Sequence, residues 1–157
     1  MKIEQLAAGL LDRLKEKQQT LATAESCTGG GIGYYLTAIP GSSAAYAGGV
    51  ISYTNQVKNE ILGVPSSVLD EYGAVSSQTA AVMAQGVREL LHTDFGLSVT
   101  GLAGPDGDGS DHPVGTVYVA AASLNRTAVE AYVFSGSREE VREQAVVAAL
   151  NLLDSIV

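Results

Sequence analysis

Ser26 stands in the stretch Thr23–Gly33 (Thr-Ala-Glu-Ser-Cys-Thr-Gly-Gly-Gly-Ile-Gly), where an apolar run gives way to three successive glycines. Thr20–Ala24 alternates and branches like a buried strand, and Ile32–Ala38 resumes a helical spacing, so the serine falls on a strand-to-helix turn. A hydroxyl there is placed for nucleophilic chemistry. The unpaired N–H groups of the helical turn that follows carry the positive end of the helix dipole, and they can stabilise an oxyanion or hold a phosphate. An N-cap serine beside a tight glycine turn would leave the same letters, and on local pattern alone the cap is the better reading. Two nucleotide motifs fail. The third glycine of G-x-G-x-x-G is replaced by Tyr34 or Leu36, and no Gly-Lys-Ser/Thr follows the glycines.

A serine nucleophile needs a base, because an aliphatic hydroxyl is a poor nucleophile at neutral pH. His92 ends an amphipathic helical stretch, where a contact with the helix C-terminus is its simplest role, and His112 lies in a polar loop. Lys58 is better placed, at the start of a short helix beyond the second strand. Helix N–H dipoles and partial burial would lower its pKa, although an arbitrary helix lysine is more often solvated. Cys27 beside Ser26 has no histidine partner in sequence and reads as a small buried filler. Asp106, Asp108, Ser110 and Asp111 superficially resemble a calcium loop. Asp111 stands where that loop needs glycine, and Val117 where it needs glutamate, so no metal is expected.

The elements that must position these residues alternate along the chain. Ile3, Leu6, Ala7, Leu10, Leu11 and Leu14 share a helical face; the first strand and the glycine-led helix follow, stopped by Pro40-Gly41. Tyr46–Ser52 reads as a second buried strand and Asn55–Leu62 as the short helix with Lys58. Ser76 caps a longer helix whose Ala80, Met83, Ala84, Val87, Leu90 and Leu91 face inward, and Phe95–Val99 is the third strand. Thr116–Ala122 and Thr127–Phe134, joined by Ser123–Arg126, read as a hairpin, which makes the sheet mixed. Ser137 and Glu140 form a capping box for the last helix, with Val141, Ala145, Ala148, Ala149, Leu152 and Ile156 inward. The pattern predicts a three-layer α/β/α sandwich with a mixed β-sheet. In open α/β sheets ligands gather at the carboxyl ends of strands, and Ser26, Tyr53 and Thr100 each fall at or just past such an end.

Composition narrows the function classes. The 157 residues suffice for one well-buried core and are few for two domains, so a single domain over residues 1–157 is expected. Nine Lys and Arg against seventeen Asp and Glu give a net charge of −8 without a basic stripe, which argues against nucleic acid as a partner. No uninterrupted apolar run approaches the roughly 20 residues of a membrane span, and one cysteine cannot form an internal disulfide. A cytoplasmic location is the expectation, with no membrane association.

Ala24–Gly30 (Ala-Glu-Ser-Cys-Thr-Gly-Gly), Ser52-Tyr53-Thr54-Asn55 with Lys58 and Leu62-Gly63-Val64, Thr100–Pro105 (Thr-Gly-Leu-Ala-Gly-Pro) and Pro113–Val117 (Pro-Val-Gly-Thr-Val) together resemble the CinA C-terminal domain family. The likeness runs from about residue 5 to residue 155 in order and spacing. It implies a serine amidohydrolase, since stand-alone members of that family are nicotinamide-nucleotide amidases that convert nicotinamide mononucleotide to nicotinate mononucleotide and ammonia. It implies no cofactor, a homodimer or larger homo-oligomer, and no pyrophosphatase activity, which belongs to an extra domain of longer relatives.

Residue by residue, the resemblance implies Ser26 and Lys58 as a Ser-Lys pair, with Tyr53 in the active site to relay a proton or orient the lysine. Backbone N–H groups around Thr28, Gly29 and Gly30 would receive the oxyanion. Thr100, with Gly101 and Gly104 in a segment where backbone can approach a ligand closely, would contact substrate. Arg142 matches the family's recurrent arginine and is expected to grip the phosphate. One segment departs from the family: His112 and Asp106-Gly107-Asp108-Gly109 stand where many relatives carry a lysine and a glycine run. An amidase for another small carboxamide and a non-catalytic nucleotide-binding module are the two alternative functions.

Overall fold

The computed structural model describes residues 2–157. In chain order the elements are α1 (Ile3–Glu16), β1 (Leu21–Glu25), α2 (Gly31–Thr37), β2 (Tyr46–Ile51), α3 (Asn55–Glu60), α4 (Ser66–Tyr72), α5 (Ser77–Leu91), β3 (Phe95–Gly101), β4 (Thr116–Ala122), β5 (Thr127–Val133) and α6 (Arg138–Ile156). The five strands form one sheet in the order β2-β1-β3-β4-β5. β1 pairs in parallel with β2 and β3, while β4 runs antiparallel to β3 and β5 antiparallel to β4. The mixed sheet with helices on both faces is the architecture that the sequence pattern predicts.

Both faces of the central strands are buried, so successive side chains feed two different cores. Leu21 of β1, Leu97 and Val99 of β3, and Val117, Val119 and Ala121 of β4 pack with Leu10, Leu11 and Leu14 of α1, Ile32 and Leu36 of α2, and the Val141–Leu153 stripe of α6. The intervening residues Ala22, Ala24, Ala120 and Ala122 meet α5 through Met83, Val87, Ala80 and Ala84. Small strand residues let α5 lie close. Gly96 of β3 has backbone of α5 where a side chain would go, a Cβ there falling 2.0 Å from the Ala84 carbonyl oxygen. Ser76 caps α5 by accepting from Thr79 N–H at 3.1 Å, and Ser137 and Glu140 close the capping box of α6.

Two expectations need correction. β2 is an edge strand rather than a buried one, with half-buried and exposed residues alternating, because it pairs on one side only. On α5, Leu90 is exposed instead of inward, while Leu91 packs half-buried against the core beside Leu62 and Val87, as expected. The short α4 has no buried residue and left no apolar stripe to read. Among the described residues, no helix is long and apolar enough to cross a membrane.

Topology decides what can meet. The carboxyl ends of β1, β2 and β3 lie at one edge of the sheet, and the β4–β5 hairpin returns the chain there, with Val133 opposite Thr116. The N-terminus of α6 is therefore delivered beside Ser26.

Candidate active site

Ser26 directly follows β1 and is held in line with the sheet by its N–H donating to Val99 O at 3.0 Å. Gly29 and Gly30 adopt positive φ values of 59° and 105°, a backbone that side-chain-bearing residues rarely take, and this lets α2 start within five residues of the serine. Glu25, almost wholly buried, accepts from Thr28 Oγ1 at 2.6 Å, Ile32 N–H at 2.8 Å and Gly33 N–H at 3.0 Å. The helix amides expected to be open to a ligand are thus partly taken by this carboxylate. The Gly29 amide donates to Ser26 O and the Gly31 amide to Thr28 O, whereas the amides of Thr28 and Gly30 have no protein acceptor among the described residues.

Lys58, the fourth residue of α3, is 1% exposed. Its Nζ donates to Ser26 Oγ at 2.9 Å and to the Ser52 carbonyl at 2.7 Å, with no carboxylate in ion-pairing reach among the described residues. Burial lowers its pKa from 10.5 to about 8, because the charged amine is desolvated. Thr54 caps α3 by accepting from Val57 N–H at 3.3 Å. Ser52 N–H in turn donates to Glu25 O at 2.7 Å. Ser26, Glu25, Ser52 and Lys58 therefore close a ring of covalent and hydrogen bonds.

A cleft of about 300 Å³ opens on this pair. Its wall includes Ser26, Tyr53, Lys58, Thr100, Gly101 and Gly104, six of the expected site residues. Cys27 also reaches it, but burial pushes its thiol up to about 11, which leaves it protonated and a poor nucleophile at neutral pH. Thr100 Oγ1 donates to Ala74 O at 2.8 Å, fastening the segment before α5 to the cleft wall and making no contact with the lysine. Tyr53 likewise does not touch Lys58; its hydroxyl accepts from Arg138 Nη2 at 3.1 Å.

Thr28, Gly29, Gly30 and Arg142 do not line this cleft; Thr28 and Arg142 border a separate hollow with Tyr35 and Val146. Arg142 donates from Nε to Cys27 O at 3.1 Å and from Nη2 to Thr28 O at 3.0 Å, so its guanidinium braces the serine turn from the rear. The arginine on the cleft wall is Arg138, one helical turn earlier, which spans the mouth from Gly104 O to Tyr53 Oη. Sequence reasoning missed it, although the i, i+4 spacing puts both arginines on one face of α6. It also missed Glu25, whose signal was a charge at the end of a strand otherwise made of small and apolar residues. Asp106 and Asp108 bring acid from the Gly101–Pro113 segment to the same wall.

Known proteins resemble the chain along nearly its whole length. The family model described as the CinA C-terminal domain matches residues 3–157. The chain is 47% identical over 146 residues to a protein named putative competence-damage inducible protein from Desulforudis audaxviator, covering 93% of this chain and 35% of that one. It is 47% identical over 150 residues to a CinA-like protein from Synechococcus sp. (strain CC9902), covering 94% and 36%. It thus spans about a third of the length of the curated relatives it matches. Solved structures of single-domain size match throughout. A competence-damaged protein (CinA) superfamily protein from Escherichia coli superposes with a TM-score of 0.96 at 36% identity, over 99% of this chain and 91% of that one. The competence/damage inducible protein CihA from Agrobacterium tumefaciens gives 0.94 at 39%, over 98% and 94%. Matched over nearly its whole length in sequence and in fold, the chain belongs to the CinA C-terminal domain family.

Proposed function

We propose that the protein is an amidohydrolase that converts nicotinamide mononucleotide to nicotinate mononucleotide and ammonia through a Ser26 acyl-enzyme. The observation that carries this reading is a buried lysine, its pKa depressed to about 8, 2.9 Å from a serine hydroxyl at the floor of a cleft. With its amine neutral, Lys58 accepts the Ser26 proton as Oγ attacks the carboxamide carbon, while Ser52 O keeps the amine aimed. The resulting ammonium gives that proton to the departing nitrogen, and ammonia leaves. Water then attacks the acyl-enzyme, again deprotonated by Lys58, and nicotinate mononucleotide is released with Ser26 restored.

The oxyanion falls to the amides of the serine turn that remain unpaired. In a trans peptide the N–H points opposite the C=O, so Arg142, by drawing the Cys27 carbonyl to the rear, turns the Thr28 N–H away from itself. Arg138 replaces Arg142 as the residue that binds the phosphate, because its guanidinium reaches the cleft, at whose mouth it bridges Gly104 O and the exposed Tyr53 hydroxyl. Asp106 and Asp108 suit a cationic pyridinium ring, which also makes the attached carboxamide a better electrophile than a neutral amide.

Incubation of the purified protein with nicotinamide mononucleotide, with ammonia and nicotinate mononucleotide followed together, tests the reading. Equal release of both is expected. Ammonia from the unphosphorylated riboside at equal efficiency would point to an amidase of different specificity, and absence of ammonia from either would sink the enzymatic reading.

A further inference from the structure

Glu25 is the least expected group near the cleft. It is a carboxylate 2% exposed, with no Lys, Arg or His in ion-pairing reach among the described residues, and it sits one residue before the serine. A buried charge without a cation is costly unless hydrogen bonds satisfy it. Here three donors do so. Oε1 accepts from the Thr28 hydroxyl and the Ile32 amide, and Oε2 from the Gly33 amide, all belonging to the loop and first turn that follow Ser26. One side chain therefore spans the whole turn, from the residue before the nucleophile to the third residue of α2. The Glu25 carbonyl, on the same residue, receives Ser52 N–H at 2.7 Å, and the Ser52 carbonyl holds the Lys58 amine.

We infer that Glu25 is a positioning residue for the reaction: its carboxylate fixes the conformation of the Ser26 turn so that Oγ stays within proton-transfer distance of Lys58. The inference rests on the assignment of Ser26 as nucleophile. An N-cap residue with a merely structural role would be expected at the helix boundary. This carboxylate instead reaches over the turn from the far side of the serine, and a shorter polar side chain at Thr28 completes the contact. Loss of the clamp leaves the cleft wall, and hence substrate binding, in place while loosening the distance on which proton transfer depends.

The test uses Glu25→Gln, which keeps size and one acceptor but sets an amide N–H₂ against a backbone N–H, together with Thr28→Val and Thr28→Ser. A fluorophosphonate that reacts with activated serines serves as a probe independent of substrate. Glu25→Gln should lower kcat for nicotinamide mononucleotide and the fluorophosphonate labelling rate together by about 10- to 100-fold, with KM changed less than about twofold, as for a misplaced reacting group. Thr28→Val should lower both in the same sense by a smaller factor, and Thr28→Ser, which restores the hydroxyl, should recover them. Wild-type labelling in both Glu25→Gln and Thr28→Val would overturn the inference, as would losses in kcat that track only a lower melting temperature and are not rescued in Thr28→Ser. If the wild-type protein is not labelled, or Ser26→Ala still is, the nucleophile assignment itself fails, and that outcome is separate from a failure of Glu25.

Discussion

Lys58 Nζ and Ser26 Oγ, 32 residues apart in the chain, meet at 2.9 Å, with no carboxylate in ion-pairing reach of the amine among the described residues. Burial alone makes Lys58 a base near neutrality, with a pKa of about 8. Reactivity should therefore follow the neutral amine: kcat/KM for nicotinamide mononucleotide rises tenfold per pH unit below about 8 and levels off above it. At pH 7 only roughly a tenth of the molecules carry the neutral base. A pH–rate profile checks this, and a midpoint below 6 would assign the base elsewhere.

The same shift has a sign for stability. An amine whose pKa falls from 10.5 in the unfolded chain to about 8 in the fold opposes folding below pH 8, and the opposition fades as pH rises toward 10.5. Lys58→Met keeps the apolar stem and removes the charge. The variant should be inactive and yet unfold at least as high in temperature as the wild type at pH 7, with the difference shrinking toward pH 10, as read by thermal denaturation across pH.

Ser26→Ala should abolish turnover with its melting temperature preserved, and Cys27→Ala should keep most of its activity, because burial holds the thiol near 11. Mass spectrometry of the fluorophosphonate-treated protein should place the adduct on Ser26. An adduct on Cys27 would reverse the assignment.

The two arginines of α6 should separate kinetically. Arg138→Ala should raise KM for the mononucleotide about tenfold or more while leaving the riboside nearly unaffected, as expected for a lost phosphate contact. Arg142→Ala strips two hydrogen bonds from the serine turn, so it should lower kcat with little change in KM and destabilise the fold by about 1–3 kcal/mol. Steady-state kinetics on both substrates decide; a phosphate-dependent KM effect confined to Arg142 would restore it as the phosphate grip.

Gly86 of α5 is the point where that helix touches the segment carrying the base. A Cβ on it would lie 2.1 Å from the Leu62 carbonyl oxygen, and the peptide nearby is tied to Lys58 O through Val64 N–H at 3.0 Å. Gly86→Ala should cost about 2–3 kcal/mol in chemical denaturation despite the better helix propensity of alanine, and activity should fall several-fold.

The layered fold was legible because its signals are periodic: the apolar faces of α1, α5 and α6, the hairpin of β4 and β5, and the Ser137–Glu140 capping box all come from local spacing. β2 misled because Tyr46–Ile51 has the apolar composition of a buried strand, whereas its position at the sheet edge depends on which partners the rest of the chain supplies. The resemblance to the family gave Ser26, Tyr53, Lys58, Thr100, Gly101 and Gly104, which the fold brings to one cleft. It could not show the division of labour between Arg138 and Arg142. Both occupy the same helix face, and which guanidinium faces the cleft depends on how α6 docks against a turn more than a hundred residues earlier. Glu25 escaped because a charge in a strand suggests exposure until its three donors are seen.

The return of the chain by the β4–β5 hairpin also sets an order of events during synthesis. Ser26 and Lys58 emerge before the guanidinium that braces the serine turn, which arrives 115 residues after Cys27, on α6. A nascent chain thus carries Ser26 and Lys58 before it carries the strut that braces the serine turn. The serine turn therefore gains its rear support only once α6 has been made and has docked.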